Sequence, residues 1–96
     1  MLTTKERTLL KSFAQNIETI FQIGKNGLTD NLINDLSVAL DARELIKLSV
    51  LKNAEFTAKD VIAELAGLLK AEPVQAIGNK IILYRKSMKS GVAHIM

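Results

Sequence analysis

Three threonines, Thr3, Thr29 and Thr57, each stand just before a stretch whose apolar residues recur at three- and four-residue intervals, and a short strand-like run follows each stretch. A threonine hydroxyl at a helix N-cap accepts a hydrogen bond from an amide that the first turn leaves free, so each threonine marks a helix start. Thr3 and Thr57 are followed three residues later by Glu6 and Asp60, carboxylates placed to return a bond to the cap's own amide. Three capped helices interleaved with strands restrict the chain to an α/β architecture.

The first helix runs to about Gln15 or Asn16 on a stripe of Leu9, Leu10, Phe13, Ala14 and Ile17. The β-branched and aromatic segment Thr19–Ile23 predicts a strand ending at a glycine. The second helix, with Leu32, Ile33, Leu36, Ala39 and Leu40 on one face and Asn31, Asn34, Asp35 and Asp41 on the other, ends near Arg43. A strand from Leu45 to Leu51 alternates Ile46, Leu48 and Val50 with Lys47 and Ser49. The third helix buries Val61, Ile62, Leu65, Leu68 and Leu69 and stops before Pro73, with Gly67 inside it allowing close packing. Val74–Ile77 and Ile81–Arg85 form an antiparallel hairpin around Gly78-Asn79. The expected fold is a single compact domain over residues 1–86, of order α-β-α-β-α-β-β with a four-stranded mixed sheet, followed by a flexible tail over residues 87–96.

Composition excludes several functions. The 96 residues contain no cysteine, which removes disulfides, thiolate metal sites and cysteine nucleophiles, and the one histidine, His94, lies in the expected tail. No carboxylate cluster suits magnesium or acid–base work, so neither an enzyme nor a cofactor is expected. No apolar run reaches the length of a membrane span, and a cytoplasmic protein is expected. The net charge is +3, but Lys80, Arg85, Lys86 and Lys89 follow residue 79 with no acid among them, leaving nine cations against ten acids upstream. A cationic end attracts a polyanion, or serves solubility as a solvated tail.

Gly24-Lys25-Asn26-Gly27 joins the first strand to the second helix. Two glycines allow a sharp turn and a close approach by a ligand, Lys25 and Asn26 add a charge and an amide, and the amides near Leu28, Thr29 and Asp30 favour an anion. The same glycines also suit a simple strand-to-helix turn, and the Asp30 carboxylate would repel a neighbouring phosphate. Neither a P-loop nor a dinucleotide-binding fingerprint is present. A Gly-x-x-Gly loop on a small α/β body is comparable to the KH clamp on a nucleic-acid backbone, although that loop lies between helices.

Four ordered blocks carry a family resemblance: Leu2-Thr3-Thr4-Lys5-Glu6-Arg7, Ile23-Gly24-Lys25-Asn26-Gly27-Leu28-Thr29, Ala42-Arg43-Glu44-Leu45-Ile46-Lys47 and Ile77-Gly78-Asn79-Lys80-Ile81-Ile82-Leu83-Tyr84-Arg85. In these the chain resembles the CRM domain family, in its free-standing bacterial YhbY-type form, from Leu2 to about Lys86. The resemblance implies a fold similar to the C-terminal domain of translation initiation factor three. It also implies RNA binding through the Gly-x-x-Gly loop and nearby basic surface, and a role in large-subunit ribosome assembly. Gly24, Lys25, Asn26 and Gly27 match the family loop, and Arg43, Lys47, Tyr84 and Arg85 match motif positions without assigned contacts. Lys80 and Lys86 extend the basic surface. The implied partner is structured RNA, ribosomal RNA in a large-subunit precursor, with no DNA or membrane partner and a monomeric chain; the alternative is a protein-interaction module without RNA contact.

Each of these side chains also has a plainer role. Lys47 could contact phosphate or shield a sheet face. Arg43 suits a local ion pair with Glu44 better than RNA contact. Tyr84 suits a core ring with a wet hydroxyl better than a base-stacking platform. Phe13, Phe21 and Phe56 are expected in the core, and the small aromatic total argues against an RRM-like stacking sheet and leaves backbone and shape as the better mode of recognition.

Overall fold

The computed structural model describes residues 2–24, 27–51 and 57–87. Its elements are α1 (Thr4–Ala14), β1 (Phe21–Ile23), α2 (Asp30–Arg43), β2 (Leu45–Val50), α3 (Ala58–Leu69), β3 (Glu72–Ile77) and β4 (Lys80–Tyr84). All three helices start where the threonines predict. The Thr3 hydroxyl accepts from Glu6 N–H while the Glu6 carboxylate accepts from Thr3 N–H, and Thr57 and Asp60 repeat the exchange. Those bonds hold both carboxyls below their ordinary values. The Thr29 hydroxyl accepts from Leu32 N–H.

The strands lie in the order β1-β2-β4-β3. β1 is parallel to β2, whereas β4 runs antiparallel to both β2 and β3. The crossovers from β1 to β2 and from β2 to β3 advance in the same direction across the sheet, so crossovers of one hand place α2 and α3 together on one face. There Leu36, Leu40, Val61, Leu65 and Leu69 meet Ile23, Ile46, Leu48, Val50, Ile81 and Leu83. α1 covers part of the other face, packing Leu10 and Ala14 with Leu45, Val74, Ile82 and Tyr84. The result is a three-layer domain.

Several local expectations change. β1 begins only at Phe21, although Ile20 N–H still donates to the Lys47 carbonyl. β2 is a central strand with α2 and α3 over one face and α1 over part of the other, so its alternation does not separate a dry face from a wet one: Ser49 is buried and Lys47 half-buried. Phe13 and Leu68 are exposed rather than core, because α1 and α3 each bury a narrower stripe than their apolar residues span. Phe21 is half-buried against the α2–α3 side, and Phe56 lies outside the described residues. Gly67 does not serve close packing, since a Cβ there would meet nothing within 4 Å.

α3 ends at Lys70, whose φ of 53° turns the chain and lets Ala71 N–H reach the Ala66 carbonyl. Pro73, expected only as a helix stop, lies within β3, which is an edge strand able to lack an amide and carries a register shift between Pro73 and Gln75. In the β3–β4 turn only Gly78 has a positive φ, 58°, the sign pattern of a type II′ hairpin. Ser87, assigned by sequence to the tail, is buried: its amide donates to the Glu44 carboxylate and its hydroxyl to the Asp41 carbonyl.

Candidate nucleic-acid interface

The pairing register divides the candidate residues between the two ends of the sheet. Ile23 pairs with Val50, and Asn79 bonds Val50 through both its carbonyl and its side-chain amide. The loop that begins at Gly24 therefore shares one end with the Gly78-Asn79 turn and Lys80. Gly27 N–H donates to the Gly24 carbonyl at 3.0 Å, closing a tight turn, and Gly27 takes φ 68°, a conformation that disfavours any side chain. A Cβ on Gly24 would stand 3.3 Å from Leu51 Cδ1. Lys25 and Asn26 lie outside the described residues.

Arg43, Tyr84, Arg85 and Lys86 occupy the opposite end, about 17 Å from Lys80 for five residues of extended chain. Arg85 is engaged within the protein. Its guanidinium donates to the Leu69 carbonyl at 2.8 Å, the Ser37 carbonyl at 2.7 Å, the Ser37 hydroxyl at 3.2 Å and the Asp41 carboxylate at 3.0 Å. It thereby ties β4 to both helices of that layer. Tyr84 is a buried ring under α1; burial first, then the charges of Glu44 and Glu6, raise its hydroxyl above the ordinary 10.0. Lys86 is exposed beside a hollow that also includes Glu6 and Glu72, so the local charge is mixed.

Glu44 turns inward at φ 64° and is fully buried, while its neighbour Arg43 is exposed. Besides Ser87 N–H on its carboxylate, the Glu44 carbonyl accepts from Arg85 N–H at 2.8 Å. Arg85 and Lys86 thus do not share a patch with the glycine loop, whereas Lys80 lies at its end of the sheet.

A different cationic surface does adjoin the loop end. α1 leaves open the part of its sheet face that holds Gln22, Lys47, Gln75, Ile77 and Lys80, all exposed or half-buried. A hollow of about 200 Å³ there is lined by Lys11, Lys47 and Lys80 with Gln15 and Gln75, and no carboxylate lines it. Lys47 Nζ also lies 3.5 Å from the Ala14 carbonyl, a long contact that sets a cation against the negative end of α1. Lys11 and Gln75 escaped sequence reading because their convergence depends on how α1 crosses β3 and β4. Among the described residues no cluster of three metal-ligating side chains occurs, and no helix is long and apolar enough to cross a membrane.

A three-layer α/β domain with a glycine turn at the same sheet end as a lysine-lined hollow that no carboxylate lines defines an anion-attracting scaffold. The model of the CRS1/YhbY (CRM) domain matches residues 2–85, and the chain belongs to that family. It is 46% identical over 90 residues to the probable RNA-binding protein YqeI of Bacillus subtilis, covering 94% of each chain. It is 33% identical over 91 residues to an RNA-binding protein of Haemophilus influenzae, covering 95% of this chain and 92% of the relative. The solution structure of SAV1595 from Staphylococcus aureus superposes with a TM-score of 0.70 at 45% identity, over 94% of each chain. Both named relatives are described by RNA binding and neither as an enzyme.

Proposed function

We propose that this protein binds structured RNA through its phosphate backbone, using the Gly24–Gly27 loop and the adjoining lysine face, and that it does so on ribosomal RNA in precursors of the large subunit. The observation that carries the reading is the tight turn with Gly27 at φ 68° at the same sheet end as Lys80 and the acid-free hollow. Backbone amides and cations together suit phosphate, and a polyanion gains by releasing its counterions. The names of the two relatives support RNA as that polyanion. In this reading the chain acts as a monomer in the cytoplasm, Lys25 and Asn26 supply the loop's side-chain contacts, and Arg43 and Lys86 add weaker attraction from the far end. Arg85 and Tyr84 act through the fold.

Two loop variants test the mechanism. Lys25→Glu should weaken RNA binding and make the salt dependence shallower by about one unit of slope, as a lost phosphate contact requires. Gly27→Val, which forces a branched side chain onto a positive φ, should lower affinity with a smaller change in slope. Binding is measured at several salt concentrations beside thermal melting, and folded variants with wild-type affinity would reject the loop. Sedimentation of a lysate with nuclease and salt challenges tests the particle: the protein should travel with large-subunit precursors and be released by nuclease.

A further inference from the structure

Lys47 lines two hollows, one on each side of the C-terminal turn of α1. The first is the lysine-lined hollow that reaches Lys80. The second, of about 340 Å³, lies between α1, the segment after it and the start of β2, and its walls include Phe13, Ile17 and Ile20 with Arg43, Lys47 and Glu18. Phe13 is 38% exposed there, a ring left open to water.

We propose that this second hollow takes one unpaired nucleobase of the bound RNA, stacked against Phe13, with the flanking phosphates on Lys47 and Arg43. The inference rests on the RNA-binding reading and deepens it. An apolar hollow of this size beside an aromatic ring has room for a single base, and every base has a face on which to stack. Two cations line it against the single carboxylate of Glu18, a balance that favours a nucleotide over an acidic peptide. Continuity gives the strand its path. Lys47 and Lys80 are diagonal neighbours on one sheet face, since Ser49 pairs with Lys80, and such neighbours stand about 7–8 Å apart. An RNA strand with its base in the hollow can therefore run its phosphates past Lys47, Lys11 and Lys80 to the glycine loop. Recognition would then select unpaired nucleotides, where phosphate contact alone would accept a duplex equally.

The test uses the full chain with poly(U), poly(A) and the poly(A)·poly(U) duplex, comparing the wild type with Phe13→Ala and Phe13→Trp. Phe13→Ala should lose about tenfold in affinity for the single-stranded polymers, the scale of one base–aromatic stack, and little for the duplex. Phe13→Trp introduces the sole indole of the chain, and its emission should be quenched by the single strands and not by the duplex. That second variant decides the matter alone if Phe13→Ala melts early. Wild-type affinity in Phe13→Ala, equal losses for single strand and duplex, or an unquenched indole would overturn the proposal. If the wild type still binds RNA in that case, the RNA-binding reading stands and the hollow is not a base site. A wild type that binds none of the three polymers would also overturn the base site, while the structured-RNA reading stands or falls by the loop variants and the sedimentation test.

Discussion

At the scale of single residues, Tyr84 and Glu44 share one buried corner that bears on the ionisation of the tyrosine. Tyr84 is buried beneath α1, with the charges of Glu44 and Glu6 near enough to oppose a tyrosinate. Its folded pKa is raised, so the folded chain holds the phenolic proton more tightly than the unfolded chain does. The contribution of this tyrosine to stability is therefore complete below pH 10.0 and declines as pH rises through the higher folded value. The chain has one tyrosine and no tryptophan, so tyrosinate absorbance reports this group alone. Its midpoint should lie above 10.0 in buffer and fall back in urea; identical midpoints would remove the tyrosine from the core. Glu44 was harder to foresee. A glutamate at φ 64° closing a helix breaks the local preference for glycine or asparagine there, and the contacts holding it come from Arg85 and Ser87, more than forty residues away.

Among the elements, α3 offers the clearest opportunity for stabilisation. Gly67 sits within it with an ordinary φ and open space around the missing Cβ, so nothing in the packing requires glycine. Gly67→Ala should stabilise the domain by about 0.5–1 kcal/mol, chiefly by restricting the unfolded chain. Calorimetry should show a melting rise of a few degrees; a fall would mean that a neighbour crowds the site. Helix starts were legible in the sequence because an N-cap is local, its donor and acceptor three residues apart, as with Thr3 and Glu6. Strand pairing and burial were less legible. Whether Ser49 or Phe13 is wet depends on which element crosses above it, and periodicity cannot report that. The same limit applies to the site: the glycine turn announced itself through Gly24 and Gly27, whereas Arg85 carried a family motif and a charge but no local sign of its hydrogen bonds to Ser37, Asp41 and Leu69.

For the whole molecule, the C-terminal boundary follows from the clasp around Glu44 and Asp41. Ending the chain after Lys86 removes the Ser87 amide from the Glu44 carboxylate and the Ser87 hydroxyl from the Asp41 carbonyl. Ending it after Met88 spares both bonds. The shorter chain should be less stable by about 1–3 kcal/mol, the cost of leaving buried polar groups without partners, as read from urea unfolding of the two truncations. Equal midpoints would return Ser87 to the tail. A last consequence concerns the sheet's two margins, which any neighbouring chain would meet first. β1 offers only three residues, and β3 carries Pro73, which has no amide hydrogen, beside the irregularity in its pairing with β4. A short margin and one that lacks an amide are poor templates for strand addition by another molecule, so crowding on a polyanion need not lead to cross-β association.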